Sequence, residues 1–63
     1  MLSMAWLNEQ RLKLGLTMQD IGDEMFVTKQ AIHDLEYGKT HKKLMLVTYE
    51  RIILDHLKED YQI

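Results

Sequence analysis

Four polar side chains on the outer face of one predicted helix are the residues best suited to chemistry: Lys29, Gln30, His33 and Asp34. Ammonium, amide, imidazole and carboxylate groups together supply hydrogen-bond donors and acceptors, which suits recognition of another polar surface. The densest basic stretch of the chain, residues 39–43, follows this helix. The net charge of −2 argues against non-specific coating of DNA but leaves room for a locally basic binding face at this stretch.

Catalysis and metal binding find little support in the pattern. The three histidines are widely spaced, and no glycine-rich phosphate loop or nucleophile elbow is present. The acidic residues Asp20, Asp23 and Glu24 have the spacing of a solvated helix face. We therefore expect a protein that is not an enzyme and that has no metal and no cofactor. The histidines are His33, His41 and His56.

Length and composition limit the class of protein. The chain has 63 residues, no cysteine and a net charge of −2. We expect a single domain over residues 1–63, marginal in stability unless dimerisation helps, because such a chain buries only ~60% of its unfolded surface. The longest apolar run, residues 44–47, is too short to span a bilayer, and no signal-peptide pattern is present. These features predict a cytoplasmic protein without a membrane partner.

Capping residues divide the chain into helices. Proline is absent and helix-forming residues dominate, so the sequence predicts an all-α fold. Ser3 is suited to cap a first helix, Thr17 with Asp20 a second, and Thr28 a third. Two short amphipathic helices joined by a tight turn, over about residues 17–37, are the pattern of a helix-turn-helix that recognises DNA.

A last helix is predicted over about residues 44–60, and it carries more apolar residues than one core-facing stripe needs. The surplus indicates a dimer interface, unless the stripe facing the core is broad. Residues 44–49 also contain enough strand-forming residues to make a short strand. Trp6 either packs under this helix or lies at an exposed interface. The surplus apolar residues are Val47, Leu54, Leu57 and Tyr61.

Several segments in register resemble the Cro/C1-type (XRE-like) helix-turn-helix family of phage repressors and related bacterial regulators. The similar segments are residues 12–17, Ile21-Gly22, residues 27–32 and residues 35–40, within a match over roughly residues 7–53. The resemblance implies a compact bundle of four or five helices, a lambda-repressor-like DNA-binding domain. It also implies that the second helix lies across the DNA backbone and the third enters the major groove, as a two-fold dimer on inverted half-sites.

The resemblance assigns roles to individual residues. Thr28, Lys29 and Gln30 would begin the recognition helix, and Gln30 could make a bidentate contact to adenine. Asp34 could accept a hydrogen bond from cytosine. The loop lysines would hold the phosphate backbone. Arg11 and Glu36 match a pair that is internal to the fold. The full set of predicted DNA-binding residues is Gln19, Thr28, Lys29, Gln30, His33, Asp34, Lys39, Thr40, Lys42 and Lys43.

Three positions in and around the second helix carry structural predictions. Met18 occupies a position where the family usually has a phosphate-binding glutamine. Phe26 stands where the turn usually has glycine, so either the turn differs or Phe26 gains contacts that offset a positive φ. Gly22 is mid-helix and faces inward, which indicates close approach by another helix rather than only a weak point costing ~1 kcal/mol.

The predicted function is sequence-specific transcriptional regulation, most simply by a small repressor of phage, plasmid or mobile-element type. Its dimer would occlude a promoter by binding an operator in double-stranded DNA. The alternative is an adaptor or anti-repressor that binds another regulatory protein through Met18, Phe26, Tyr37 and the apolar C-terminal helix.

Overall fold

The computed structural model describes the backbone of residues 3–61 and the side chains of residues 3–59. This part of the chain is all-helical and contains no strand. It has four helices: α1 (Met4–Lys13), α2 (Met18–Met25), α3 (Lys29–Glu36) and α4 (Lys43–Tyr61). The all-α class is confirmed, and four helices lie within the predicted range of four to five. The side chain of Tyr61 lies outside the described residues.

The predicted caps are confirmed at the first three helices. The Ser3 side chain accepts a hydrogen bond from the backbone N–H of Trp6 at 3.2 Å. Thr17 and Asp20 form a complete capping box, in which each side chain accepts from the other residue's backbone N–H, at 3.0 and 2.9 Å. Thr28 accepts from the N–H of Ala31 at 3.1 Å. Each cap satisfies a donor that the first turn of a helix leaves without a partner.

Residues 44–49 are helical, which excludes the strand alternative for this segment. The N–H of Leu46 donates to the carbonyl of Lys42 at 3.1 Å, so the helical hydrogen-bond pattern begins at the end of the basic stretch. None of the helices in the described part of the chain combines the length and apolar character that a membrane crossing requires.

One apolar core joins all four helices. Its buried members come from α1 (Leu7), α2 (Ile21), α3 (Ile32 and Leu35) and α4 (Tyr49 and Ile53). The radius of gyration is 11.0 Å, which is close to the value of ~11 Å expected for a compact chain of this length. The spacing of these residues along each helix explains why a single stripe per helix is buried.

A buried polar network ties α1, α3 and α4 together around Glu36. Arg11 Nε and Nη2 donate to the Glu36 carboxylate at 2.8 and 3.2 Å, and both side chains are buried, at 7% and 0% exposure. Asn8 Nδ2 and the Tyr49 hydroxyl also donate to this carboxylate, at 3.0 and 2.6 Å. Arg11 Nη1 donates to the carbonyl of Leu16 at 2.8 Å. The internal pairing of Arg11 and Glu36 that the resemblance implied is therefore present.

Close packing at Gly22 is present, but its partner differs from the prediction. A Cβ atom added to Gly22 would lie 2.8 Å from the carbonyl oxygen of Val27 and 3.4 Å from the backbone of Thr28. The approaching group is therefore the backbone between α2 and α3 rather than a neighbouring helix. The reason is that the chain folds back over α2 to begin α3.

The apolar side chains of α4 divide between the core and the surface. Leu57 is half-buried and packs against the core, so it is not left over from core packing as the sequence predicted. Val47 and Leu54 remain 43% and 41% exposed, and Leu44 is 79% exposed. Trp6 is 36% exposed, so it is neither fully packed nor free of contacts.

Candidate nucleic-acid interface

The connection between α2 and α3 fixes the orientation of α3. The N–H of Val27 donates to the carbonyl of Gly22 at 2.9 Å, which closes the end of α2. Phe26 has φ 58° and ψ 38°, the left-handed conformation common at helix ends. Thr28 then caps α3, so only residues 26–28 separate the two helices.

Phe26 shows that the turn keeps the positive φ expected of a glycine position. Its side chain is nevertheless 95% exposed. Both alternatives offered from the sequence are therefore wrong, because the turn does not differ and the ring gains almost no contacts. A left-handed conformation costs a residue with a Cβ atom roughly 1–2 kcal/mol, and nothing in the packing of this ring offsets that cost.

The outer face of α3 presents the predicted polar residues next to one another. Thr28, Lys29 and Gln30 are exposed, whereas His33 and Asp34 are half-buried. Gln30 Nε2 donates to Asp34 Oδ1 at 2.9 Å, one helical turn further on. The structure thus places an exposed ammonium group beside an amide whose orientation is held by a carboxylate.

His33 lies on the flank of this face. Its ring is 4.4 Å from the ring of Tyr37, with planes inclined at 30°. Its Nδ1 is buried without a hydrogen-bond partner among the described residues and lies 3.6 Å from Asp34 Oδ1. That separation is too long for a hydrogen bond. The imidazole thus packs beside Tyr37, and the His33 side chain is 38% exposed.

The basic loop after α3 is held by a helix-end turn. Gly38 has φ +73°, and the N–H of Lys39 donates to the carbonyl of Asp34 at 2.8 Å. Thr40 is half-buried. The ammonium-bearing residues of the loop and of the start of α4 are exposed: Lys39, Lys42 and Lys43. Their side chains are therefore accessible to phosphate groups.

Three carboxylates lie on α2: Asp20, Asp23 and Glu24. Gln19 Nε2 donates to Asp23 Oδ1 at 2.8 Å, one turn further along α2. Glu24 contacts His56 Nε2 at 2.8 Å, which joins α2 to α4. Met18, an expected member of a partner surface, is half-buried and packs against the core.

The described residues form no pocket, and no group of three or more of their side chains could hold a metal ion. The candidate site is the outer face of α3 together with the loop that follows it.

Sequence reasoning missed several side-chain contacts. Asn8 and Tyr49 complete the Glu36 network, and the Glu24–His56 contact links helices that are distant in sequence. No local pattern indicates these long-range contacts. The hydrogen bond between Gln30 and Asp34 could have been predicted from the sequence, since residues four apart on a helix are neighbours.

Comparisons with models of known protein families, with curated proteins and with solved structures give no match to this chain.

Proposed function

We propose that this protein is a sequence-specific DNA-binding transcriptional regulator of the Cro/C1 helix-turn-helix type. In this proposal α2, the turn and α3 form the helix-turn-helix, and α3 enters the major groove. The observation that carries the proposal is the joint exposure of Thr28, Lys29 and Gln30 at the capped start of α3.

The burial pattern supports α3 as the recognition helix. Ile32 and Leu35 fix one side of α3 in the core, so the opposite side projects outward. A helix of this kind fits the major groove, which is ~12 Å wide. In helix-turn-helix proteins, residues near the N-terminus of the recognition helix contact base edges. In this proposal the recognition helix is α3.

The loop lysines supply the sequence-independent part of the binding. Lys39, Lys42 and Lys43 are exposed beyond the end of α3. Lysines so placed bind phosphates and position the protein without recognising sequence. They provide local positive charge in a chain whose net charge is −2.

Dimerisation belongs to the same proposal, because a single small module buries too little surface for tight specific binding. The exposed part of α4, with Val47 and Leu54, is the proposed contact between subunits. Such a dimer would bind inverted half-sites and repress transcription by occluding a promoter. Dimer formation depends on protein concentration, so concentration would regulate occupancy.

Fluorescence anisotropy with a randomised duplex pool and with the protein's own promoter DNA, at 50 and 200 mM salt, tests the proposal. We expect selective binding that weakens steeply with salt, with a slope of about −0.9 for each phosphate neutralised. Absence of binding by folded protein at both salt concentrations would overturn the proposal.

Two variants separate recognition of bases from recognition of phosphates. Gln30→Ala should weaken binding to a specific site by roughly 1–3 kcal/mol and relax one base position. Lys42→Ala should weaken binding to all sequences about equally and reduce the salt slope. Lys58→Ala removes the same charge from an exposed residue ~20 Å further along α4 and is the matched control. If Lys58→Ala lowers the slope as much as Lys42→Ala, the assigned face is wrong.

A second candidate, an adaptor that binds another regulatory protein, is favoured by Phe26. An aromatic ring that is 95% exposed on a strained turn gains nothing in the free protein, whereas a partner pocket would bury it. Contact of this apolar kind should depend little on salt. Salt dependence therefore distinguishes this candidate from DNA binding.

A further inference from the structure

The hydrogen bond between Gln30 and Asp34 restricts what Gln30 can recognise. Gln30 Nε2 carries two N–H groups, and one of them donates to Asp34 Oδ1 at 2.9 Å. The bond also fixes which end of the amide is nitrogen, because the carboxylate accepts and cannot donate when ionised. One N–H and the carbonyl oxygen Oε1 remain for an external ligand.

These two remaining groups match one base edge in the major groove. Adenine presents N7 as an acceptor beside N6–H₂ as a donor, which is complementary to one N–H and one carbonyl oxygen. Guanine presents two acceptors, N7 and O6. To bind both, Gln30 would need both of its N–H groups, and Asp34 already holds one of them.

The charge of Asp34 acts in the same direction. A carboxylate beside the bound base repels the acceptors N7 and O6 of guanine more than the mixed edge of adenine. The Asp34 side chain is 36% exposed, so its charge lies close enough to the surface to interact with a bound base.

We infer that Gln30 recognises adenine in the major groove and that Asp34 is a positioning residue that makes Gln30 reject guanine. This inference rests on the proposed function. It assigns Asp34 a role through Gln30, in place of direct acceptance from cytosine.

The chain contains a matched control for this arrangement. Gln19 Nε2 donates to Asp23 Oδ1 at 2.8 Å, with the same residue types and the same spacing, on α2. In the proposed complex α2 lies across the DNA backbone, so this pair faces no base. Asp23→Ala should therefore change affinity for all sequences alike and leave base preference unchanged.

The experiment first selects a preferred site from a randomised duplex pool with the unaltered protein. The four bases are then placed at each position of that site and their affinities compared by anisotropy. The proteins compared are the unaltered chain, Gln30→Ala, Asp34→Ala, Asp34→Asn and Asp23→Ala, each checked for folding by circular dichroism.

We expect the unaltered protein to prefer adenine over guanine by at least roughly ten-fold at one position of each half-site. Gln30→Ala and Asp34→Ala should both remove most of that preference, at the same position. Asp34→Asn should retain the part of the preference that depends on the hydrogen bond, because the amide oxygen can still accept from Gln30, and should lose only the part that depends on charge. A merely structural role of Asp34 would lower all affinities without changing the preference at one position.

Several results would overturn the inference while leaving the proposed function intact. One is a preference for a base other than adenine at the position that Gln30 controls. Another is an unchanged preference in Asp34→Ala. A third is a change of preference in Asp34→Ala at a different position, which would mean that Asp34 contacts a base itself. Asp34→Asn behaving like Asp34→Ala would exclude the hydrogen bond as the cause. If the unaltered protein selects no site, the proposed function fails, and this inference fails with it.

Discussion

At the scale of single residues, Phe26 combines two unfavourable properties. Its backbone is in the left-handed conformation with φ 58°, and its ring is 95% exposed to solvent. Asparagine or glycine would adopt this conformation at lower cost. The residue type at position 26 is therefore not explained by the stability of the free chain, which is why it supports a second candidate function.

Replacing Phe26 should stabilise the protein. Phe26→Gly should raise the free energy of unfolding by about 1 kcal/mol, since relief of backbone strain exceeds the entropy that glycine adds to the unfolded state. Phe26→Ala is the matched control. It removes the ring but keeps a Cβ atom, so it should leave stability nearly unchanged. Urea denaturation measures both variants, and a loss of stability in Phe26→Ala would show that the ring packs after all.

Tyr49 makes a pH-dependent contribution to stability. Burial, together with the hydrogen bond to the Glu36 carboxylate, raises the pKa of Tyr49 well above its ordinary value of 10.0. As the pH rises, the Tyr49 hydroxyl therefore loses its proton at a lower pH in the unfolded chain than in the folded one. The contribution of Tyr49 is complete below pH 10 and is lost progressively above it, at up to ~1.4 kcal/mol per pH unit.

Substitution of Tyr49 should remove that alkaline loss. We expect Tyr49→Phe to be less stable at pH 7 by about 1–2 kcal/mol, because a hydrogen bond to a charged group is lost. Its free energy of unfolding should then fall less steeply between pH 9 and 11. Tyr37→Phe, at a residue that is 65% exposed, is the control and should keep the steep fall. Equal slopes for Tyr49→Phe and the unaltered chain would contradict the assignment.

At the scale of helices, Gly22 determines how tightly the chain turns from α2 into α3. The Val27 carbonyl occupies the space that a side chain would need. Ordinary helix propensity would favour alanine here by up to ~1 kcal/mol. The close approach reverses that preference, because the obstructing atom belongs to the backbone and cannot rotate away.

We expect Gly22→Ala to destabilise the protein by about 1 kcal/mol or more, as overpacking outweighs the gain in helix propensity. Gln19→Ala, at an exposed position of the same helix, should change stability by less than about 0.5 kcal/mol. Thermal unfolding followed by circular dichroism measures both. A higher melting temperature for Gly22→Ala would mean that the turn can move without cost.

The helices could be predicted from local chemistry, whereas the long-range contacts could not. Ser3, Thr17 and Thr28 identify helix starts because their hydroxyls satisfy backbone donors a few residues away. The contact between Glu24 and His56 depends on how α2 meets α4, which no local pattern encodes. Leu57 was misassigned for the same reason, since its burial depends on how α4 lies on the other helices. The exposure of Lys29 and Gln30 was predictable because both lie on the side of α3 opposite the apolar residues Ile32 and Leu35.

At the scale of the whole molecule, the exposed apolar side chains of α4 bear on how many chains associate. Leu44, Val47 and Leu54 follow one another at intervals of three and seven residues, so they lie on one side of the helix. A monomer would leave this stripe in water, whereas a pair of chains would cover it.

Leu54→Glu should shift a dimer toward the 7.5 kDa monomer with helix content retained, because a charge would be buried at the contact. Leu12→Glu, on α1 at 64% exposure, introduces the same charge at another exposed leucine and should leave the mass unchanged. Sedimentation equilibrium over a range of concentrations measures both. Equal masses for Leu54→Glu and the unaltered chain would remove this interface from the proposal.

The shared carboxylate of Glu36 also limits how this sequence can diverge. Two helices contribute donors to this carboxylate of α3: α1 with Asn8 and Arg11, and α4 with Tyr49. A change at Arg11, Glu36 or Tyr49 therefore leaves buried groups without partners, and we expect each position to be intolerant when varied alone. Joint replacement by apolar residues of matching volume removes the donors and the acceptor together. In a combinatorial library these positions should therefore covary as a set. Folded sequences should differ from one another at several of these positions at once, and single substitutions between them should fail to fold.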